Sequence, residues 1–226
     1  MNASSPGPID LLILAAYPPE LAGLRALLGE RLEGHVSGTS VVCKAVGVGL
    51  PNASSGTTAR LLQRRPRAVV LVGTCGYYPA APIPIGVSIV ARRVHLLSPI
   101  EAERRGAMPD PMSRALDCNA PLARGLGFGQ EPLAAIANTL VVTTDDALAA
   151  QLGASSGCAV ENLEAFGVGN ACALQDVPFA CVLGVSNRVG STGRDEWRAH
   201  HKAAGQAACD VVGRWIAAGA LGLTHA

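Results

Sequence analysis

Ala68-Val69-Val70-Leu71-Val72 runs straight into Gly73-Thr74-Cys75-Gly76, and the reading of this junction decides the fold. An unbroken apolar run rich in β-branched residues has the composition of a strand buried on both faces. Two glycines closely spaced after it mark a tight turn at the strand's carboxyl end. The same pattern of an apolar run followed by a break recurs along the chain. Leu11–Ala16 stops at Pro18-Pro19-Glu20, Thr39–Val46 stops at Gly47-Val48-Gly49, and Pro178–Val185 stops at Ser186-Asn187.

Helical signals fill the spaces between these runs. Pro18-Pro19-Glu20 opens a helix whose Leu21, Leu24, Leu27 and Leu28 share one face, and Pro51 to Leu62 reads as a second. Thr144 with Asp145 and Asp146 starts a third, with acids in its first turn, and Leu163 to Leu174 reads as a fourth. A last helix begins near Thr192, whose spacing to Asp195 fits a capping box, and runs to Ala218. Gly86–His95, Ala134–Val142 and Gly157–Val160 complete the expected strands. Leu96–Gly129 reads as a long loop with one helix near Ser113–Arg124, and loops of that length commonly serve as lids or binding elements. Strands alternating with helices, without repeat or linker, predict an α/β single domain at 9–226 with a mixed central β-sheet flanked by helices. Residues 1–8, rich in Ser, Pro and Gly, read as a flexible N-terminus.

Composition narrows the function. The chain is 49% hydrophobic and 15% charged with a formal net charge of +1, which offers no electrostatic case for nucleic acid or a membrane surface as partner. Arg64-Arg65 with Arg67, and Arg104-Arg105, read as solvated faces. The 7 cysteines have no CxxC pair or metal spacing to histidine, so they read as reduced core residues. There is no basic leader, and no apolar run approaches the roughly 18 residues of a membrane span, so the expected location is cytoplasmic. Motifs for dinucleotides, P-loop phosphates, protease zinc and the hydrolase elbow are missing; no cofactor and no metal is expected.

In α/β sheets ligands bind beyond the carboxyl ends of strands. Four polar features fall there: Glu20, Gly73-Thr74-Cys75-Gly76, Glu161 with Glu164, and Ser186-Asn187. Each also has a plainer reading. Glu20 suits a helix N-terminus, the glycines suit a tight turn, Glu161 and Glu164 suit a first helical turn, and Asn187 suits a turn or cap. Gly167 and Gly169 inside a helix point to close helix packing. His200-His201 reads as an exposed helical turn.

Taken together, these features resemble the nucleoside phosphorylase/nucleosidase superfamily over nearly the whole chain. Leu14-Ala15-Ala16-Tyr17-Pro18-Pro19-Glu20-Leu21 looks like that family's first strand and catalytic glutamate. Gly47-Val48-Gly49-Leu50-Pro51-Asn52-Ala53 is similar to its turn into a helix, and Gly73-Thr74-Cys75-Gly76 to the turn beside the ribose. Val160-Glu161-Asn162-Leu163-Glu164 resembles the ribose-binding segment, and Ser186-Asn187 the end of the strand that carries the catalytic acid. The adenine-directed methylthioadenosine/S-adenosylhomocysteine nucleosidases have Ser-Asp there. Ser186-Asn187-Arg188-Val189-Gly190 and Arg194-Asp195-Glu196-Trp197 look instead like futalosine hydrolase.

The resemblance implies a nucleoside phosphorylase-like fold and cleavage of an N-glycosidic bond in a purine nucleoside. Glu20 would activate water and Asn187 would act on the leaving base. Glu164 would bind ribose hydroxyls, with Thr74, Gly76, Leu163 and Phe166 also contacting substrate. An amide is a poor acid, but its NH2 can hydrogen-bond N7 or O6 of a 6-oxopurine as charge develops. Leu71 and Leu183 stand where relatives carry arginines, which points to water rather than phosphate as nucleophile. Ala147 falls near a relative's base-stacking phenylalanine, leaving Phe166, Tyr77 and Tyr78 as candidates for the stack. Futalosine hydrolysis leads the readings; another purine nucleoside, or a non-catalytic purine binder, remains an alternative. Relatives form homodimers or larger homo-oligomers, and the same is expected here.

Overall fold

In the computed structural model, residues 9–128 and 130–223 are described; the expected flexible N-terminus at 1–8 lies outside them. The strands are β1 (Ile9–Ala15), β2 (Glu33–Val36), β3 (Thr39–Ala45), β4 (Pro66–Tyr77), β5 (Ser88–Leu96), β6 (Ala115–Asp117), β7 (Leu133–Asn138), β8 (Val160–Asn162) and β9 (Phe179–Arg188). The helices are α1 (Arg25–Leu28), α2 (Leu50–Gln63), α3 (Pro99–Ala102), α4 (Ala120–Gly127), α5 (Asp146–Ser156), α6 (Ala165–Ala173) and α7 (Gly193–Ala217).

β4 is the hub of the sheet. It runs parallel to β1 and β9 and meets β8 antiparallel through Gly76–Glu161 and Tyr77–Val160. β9 passes on to antiparallel β5, β5 pairs parallel with β7, and β7 pairs parallel with β8. β4, β9, β5, β7 and β8 therefore close a ring, with β1, β3 and β2 extending from β4 and β6 added beside β5. The mixed central sheet expected from sequence is thus a small barrel with a wing.

Side chains of the hub alternate between two cores, as a strand buried on both faces requires. Val69, Leu71 and Cys75 join a cluster with Ala53 and Leu61 of α2 and Phe166 and Val168 of α6. Ala68, Val70 and Val72 join the other, with Leu122 of α4 and Val212 and Trp215 of α7. All seven cysteines are free and buried, and burial pushes Cys43, Cys118, Cys172 and Cys209 up to about 12. They are packing residues rather than nucleophiles.

Several expected boundaries change. Gly73-Thr74-Cys75-Gly76 is not a turn: β4 continues to Tyr77 because β9 keeps pairing beside it, with an irregularity only between Cys75 and Gly76. β7 stops at Asn138 rather than Val142, since its neighbour β8 is only 3 residues long; Leu140, Val141 and Val142 are exposed. Residues 96–128, expected as part of a long loop over 96–129, hold α3, β6 and α4. The helix expected at Ser113–Arg124 is instead β6 followed by α4, which Asn119 caps by accepting from the Leu122 amide at 3.1 Å. Thr192 forms no capping box; its hydroxyl donates to Glu196 at 2.6 Å.

Close packing explains the helical glycines. A Cβ on Gly167 would fall 2.7 Å from the Leu50 carbonyl oxygen of α2, and one on Gly169 would fall 2.7 Å from Leu116. On β9, a Cβ at Gly184 would collide with the backbone carbonyl of Ala204 in α7. Gly184→Ala is therefore expected to destabilise the chain by about 3 kcal/mol or more. Urea unfolding checks this; a loss below about 1 kcal/mol would show that α7 can move aside.

Candidate active site

Glu20 owes its position to two prolines. They end β1 and start a 3-10 turn over Pro18–Leu24, where the sequence had suggested an α-helix; only Arg25–Leu28 is α-helical. The Glu20 carboxylate folds back on its own strand end, accepting from the amides of Ala16 at 3.0 Å and Tyr17 at 3.3 Å. It also lies directly over Gly73: a Cβ there would sit 3.1 Å from Glu20 Oε1 and 3.6 Å from Leu183. Gly73 thus serves close approach rather than turning, since a side chain there would press on the Glu20 carboxylate.

This enclosure sets the charge of Glu20. Burial raises its carboxyl to about 7, and the negative charge of Glu164 adds to the rise. Amides of Tyr17, Ala16 and Thr74 oppose it. Leu183, fully buried, is an apolar wall where the resemblance placed an arginine.

Glu164 arrives from the opposite strand ends. Asn162 Oδ1 accepts from the amides of Glu164 and Ala165, both at 2.8 Å, and Asn138 Oδ1 accepts from Phe166 N at 2.8 Å. Two asparagines therefore satisfy the first amides of α6, which frees the Glu164 side chain from a capping role. Its Oε1 instead accepts from Gly49 N at 2.8 Å. Gly49 has φ 83°, a left-handed conformation that favours glycine at the start of α2. Burial raises the Glu164 carboxyl, while the Gly49 amide and Asn162 pull it back. Asn162 Nδ2 donates to Thr74 O at 3.1 Å, tying β8 to β4.

Glu161 has a different task. Its carboxylate accepts from Thr143 N at 2.9 Å, Thr143 Oγ1 at 2.7 Å and Tyr78 Oη at 2.8 Å. These bonds pin the segment after β7 against β8, so Glu161 is structural. Removing them in Glu161→Ala strands the buried Thr143 amide and is expected to cost about 3 kcal/mol. Hydrogen exchange at Thr143 should speed up correspondingly; unchanged protection would contradict this role.

Asn187 lies within β9, paired with Gly76 of β4, and not in a turn. Its Oδ1 accepts from Ser186 Oγ at 2.7 Å and its Nδ2 donates to the Arg188 carbonyl at 2.9 Å. A carbonyl can only accept, so it fixes which end of the amide is NH2. One N–H of that group is left to bond elsewhere. Gly76 provides the clearance: a Cβ there would sit 2.7 Å from Asn187 Nδ2.

The remaining expected residues divide. Thr74 Oγ1 accepts from Trp197 Nε1 at 3.3 Å, so its hydroxyl faces α7. Leu163 is half-buried, whereas Phe166 is 5% exposed and belongs to the core cluster. Tyr78 is fully enclosed with its hydroxyl on Glu161, Tyr77 is half-buried, and Ala147 is in the first turn of α5. Sequence reasoning gave Trp197 no role, although it stacks on His201 with centroids 4.3 Å apart and planes at 18°. Its signal in the sequence was its place in the Arg194-Asp195-Glu196-Trp197 stretch that resembles futalosine hydrolase; His201, stacked on it, is accordingly not a bare surface residue. Among the described residues no group of three or more metal-ligating side chains occurs.

The sequence of residues 10–217 matches the model of the phosphorylase superfamily, and the chain belongs to that family. No curated protein matches it. Among solved structures it is similar to the 5'-methylthioadenosine/S-adenosylhomocysteine nucleosidase of Helicobacter pylori bound to butyl-thio-DADMe-Immucillin-A, with TM-score 0.83, 12% identity, and coverage of 92% of this chain and 98% of that one. It is similar to the futalosine hydrolase of Helicobacter pylori at TM-score 0.82 and 13% identity, covering 92% and 97%. The nucleosidase of Colwellia psychrerythraea in complex with adenine gives TM-score 0.82 and 18% identity, covering 95% and 96%. Identities this low establish a shared fold.

The raised Glu20 carboxyl links the site to stability. Between the ordinary 4.5 and about 7, the folded chain keeps a proton that the unfolded chain has released. Stability therefore falls as pH rises across that window, by about 3 kcal/mol in all. Glu20→Gln is expected to recover most of this at pH 8 and to flatten the dependence. Urea unfolding at pH 5 and pH 8 checks it; equal stabilities of the two proteins at pH 8 would contradict it.

Proposed function

We propose that this chain hydrolyses the N-glycosidic bond of a purine nucleoside-like substrate, and that its substrate is futalosine, yielding hypoxanthine and dehypoxanthinyl futalosine in menaquinone biosynthesis. The observation that carries the choice of base is the oriented amide of Asn187, whose spare N–H suits N7 or O6 of a 6-oxopurine. Adenine instead calls for an acid at that position.

Glu20, ionised above about 7, accepts a proton from water as its oxygen attacks the anomeric carbon. Glu164 accepts hydrogen bonds from the ribose hydroxyls, and its charge favours the positive character that builds on the sugar. The electron pair of the breaking C–N bond goes to the purine, where Asn187 stabilises it. Gly76, which clears room for Asn187, and half-buried Leu163 complete the substrate-binding set; the Thr74 hydroxyl is engaged by Trp197 and Phe166 packs in the core, so neither side chain is given a substrate contact. Buried Leu71 and Leu183, with no cation among the groups acting on Glu20, support water over phosphate as nucleophile. The exposed Leu140–Val142 run supports a homodimer or larger homo-oligomer, and a small-molecule substrate suits a cytoplasmic enzyme.

Purine release from futalosine, inosine and 5'-methylthioadenosine, with and without phosphate, tests the proposal. Futalosine is expected to have the highest kcat/KM and phosphate to have no effect. Asn187→Ala should lower kcat on futalosine by about 100-fold. Strict phosphate dependence would rule out hydrolysis, and faster release of adenine would rule out the 6-oxopurine preference.

A further inference from the structure

β4 changes partners along one edge. β1 pairs with it as far as Leu71, and β8 takes over only at Gly76. Residues 72–75 therefore have no strand partner on that edge among the described residues, although β9 pairs with them on the other. Backbone N–H and C=O groups left in such a gap need partners from elsewhere.

At Thr74 side chains supply them. Asn162 Nδ2 donates to the Thr74 carbonyl at 3.1 Å, and the Thr74 amide lies close enough to the Glu20 carboxylate to draw that carboxyl down. The other end of the Asn162 amide, Oδ1, accepts from Glu164 N and Ala165 N, both at 2.8 Å. A carbonyl only accepts and a backbone N–H only donates, so all three partners demand the same orientation of the amide. Asn138 gives the comparison. It is also buried and also accepts from an α6 amide, Phe166 N at 2.8 Å, but its Nδ2 donates to the adjacent Thr139 carbonyl at 3.1 Å. Both asparagines cap α6, and of the two it is Asn162 that reaches across to β4.

Glu20 follows β1 and Glu164 follows β8, strands that do not pair with each other. Asn162 spans the interval between them: one end of its amide fixes the backbone of Glu164, and the other fixes Thr74 beside Glu20. We propose that Asn162 is a positioning residue that sets the spacing of Glu20 and Glu164. Its consequence for catalysis rests on the glycosidic cleavage proposed above. Water activated by Glu20 must meet a sugar held by Glu164, and a misplacement of about 1 Å can cost about 100-fold in rate.

The spacing can be read without substrate. Carboxyl-carbon NMR of the ligand-free chain gives the fall in the Glu20 midpoint caused by Glu164→Gln, which measures how strongly the two carboxylates couple. With Asn162→Ser in the background, that fall is expected to shrink to less than about half. Serine still offers an oxygen to the α6 amides but is too short to reach the Thr74 carbonyl, so the cap stays and the bridge goes. Asn162→Thr, which caps in the same way, is the second variant should the first unfold. With Asn138→Ala in the background, a cap is lost and the bridge kept, and the fall should equal that of the otherwise unaltered chain. In purine release, Asn162→Ser should lower kcat about 100-fold and change KM far less. An undiminished fall in Asn162→Ser, an equal decrease in both backgrounds, or an unchanged kcat would overturn the positioning role. Weakened coupling in a protein whose unaltered chain cleaves no nucleoside would uphold the spacing role and count against glycosidic cleavage alone.

Discussion

Glu20 and Glu164 repel one another inside an enclosure where amide groups, and no cation among the described residues, act to lower their carboxyls. Much of the surrounding architecture follows from accommodating that pair. Gly73, without a side chain, lets Glu20 lie close over β4, and Gly49, at a left-handed φ, turns its amide to Glu164. Asn162 and Asn138 take over the capping of α6, which leaves the Glu164 side chain to accept from the Gly49 amide. A site held in this way opposes stability, as expected where charge is kept poorly solvated for chemistry.

The closed ring of β4, β9, β5, β7 and β8 gives the pair a rigid floor. Strand ends far apart in sequence are brought together by pairing and by a few cross-links, such as Asn162 to the Thr74 carbonyl. α7 reinforces the floor from outside. Its Ala204 carbonyl sits against Gly184, Trp197 donates to Thr74, and Cys209 Sγ lies 3.1 Å from the Glu20 carbonyl. One long helix therefore touches both the backbone of Glu20 and the strand that carries Asn187.

Strands with continuous apolar runs, β1, β4 and β9, were legible because burial on both faces leaves a composition that nothing else explains. The end of β4 was not. Glycines read locally as a turn, and only the continued partner strand shows them to be extended backbone cleared for Glu20 and Asn187. β2 and β6 were missed because they are short and partly exposed, with little apolar signal. Within the site, spacing alone did not separate Glu161 from Glu164. The difference lies in tertiary partners: Thr143 and Tyr78 occupy Glu161, whereas Glu164 has one amide and a charged neighbour. The contact of Trp197 could not be read for the same reason, since it is made with Thr74, distant in sequence.

The titration of Glu20 itself tests the account most directly. Carboxyl-carbon NMR on the ligand-free chain, assigned with Glu20→Gln, reads that group alone. A midpoint near 7, falling when Glu164→Gln removes the neighbouring charge, is the expected result. A midpoint at the ordinary 4.5, unmoved by Glu164→Gln, would mean that the two carboxylates are solvated and independent, and the paired site would be wrong.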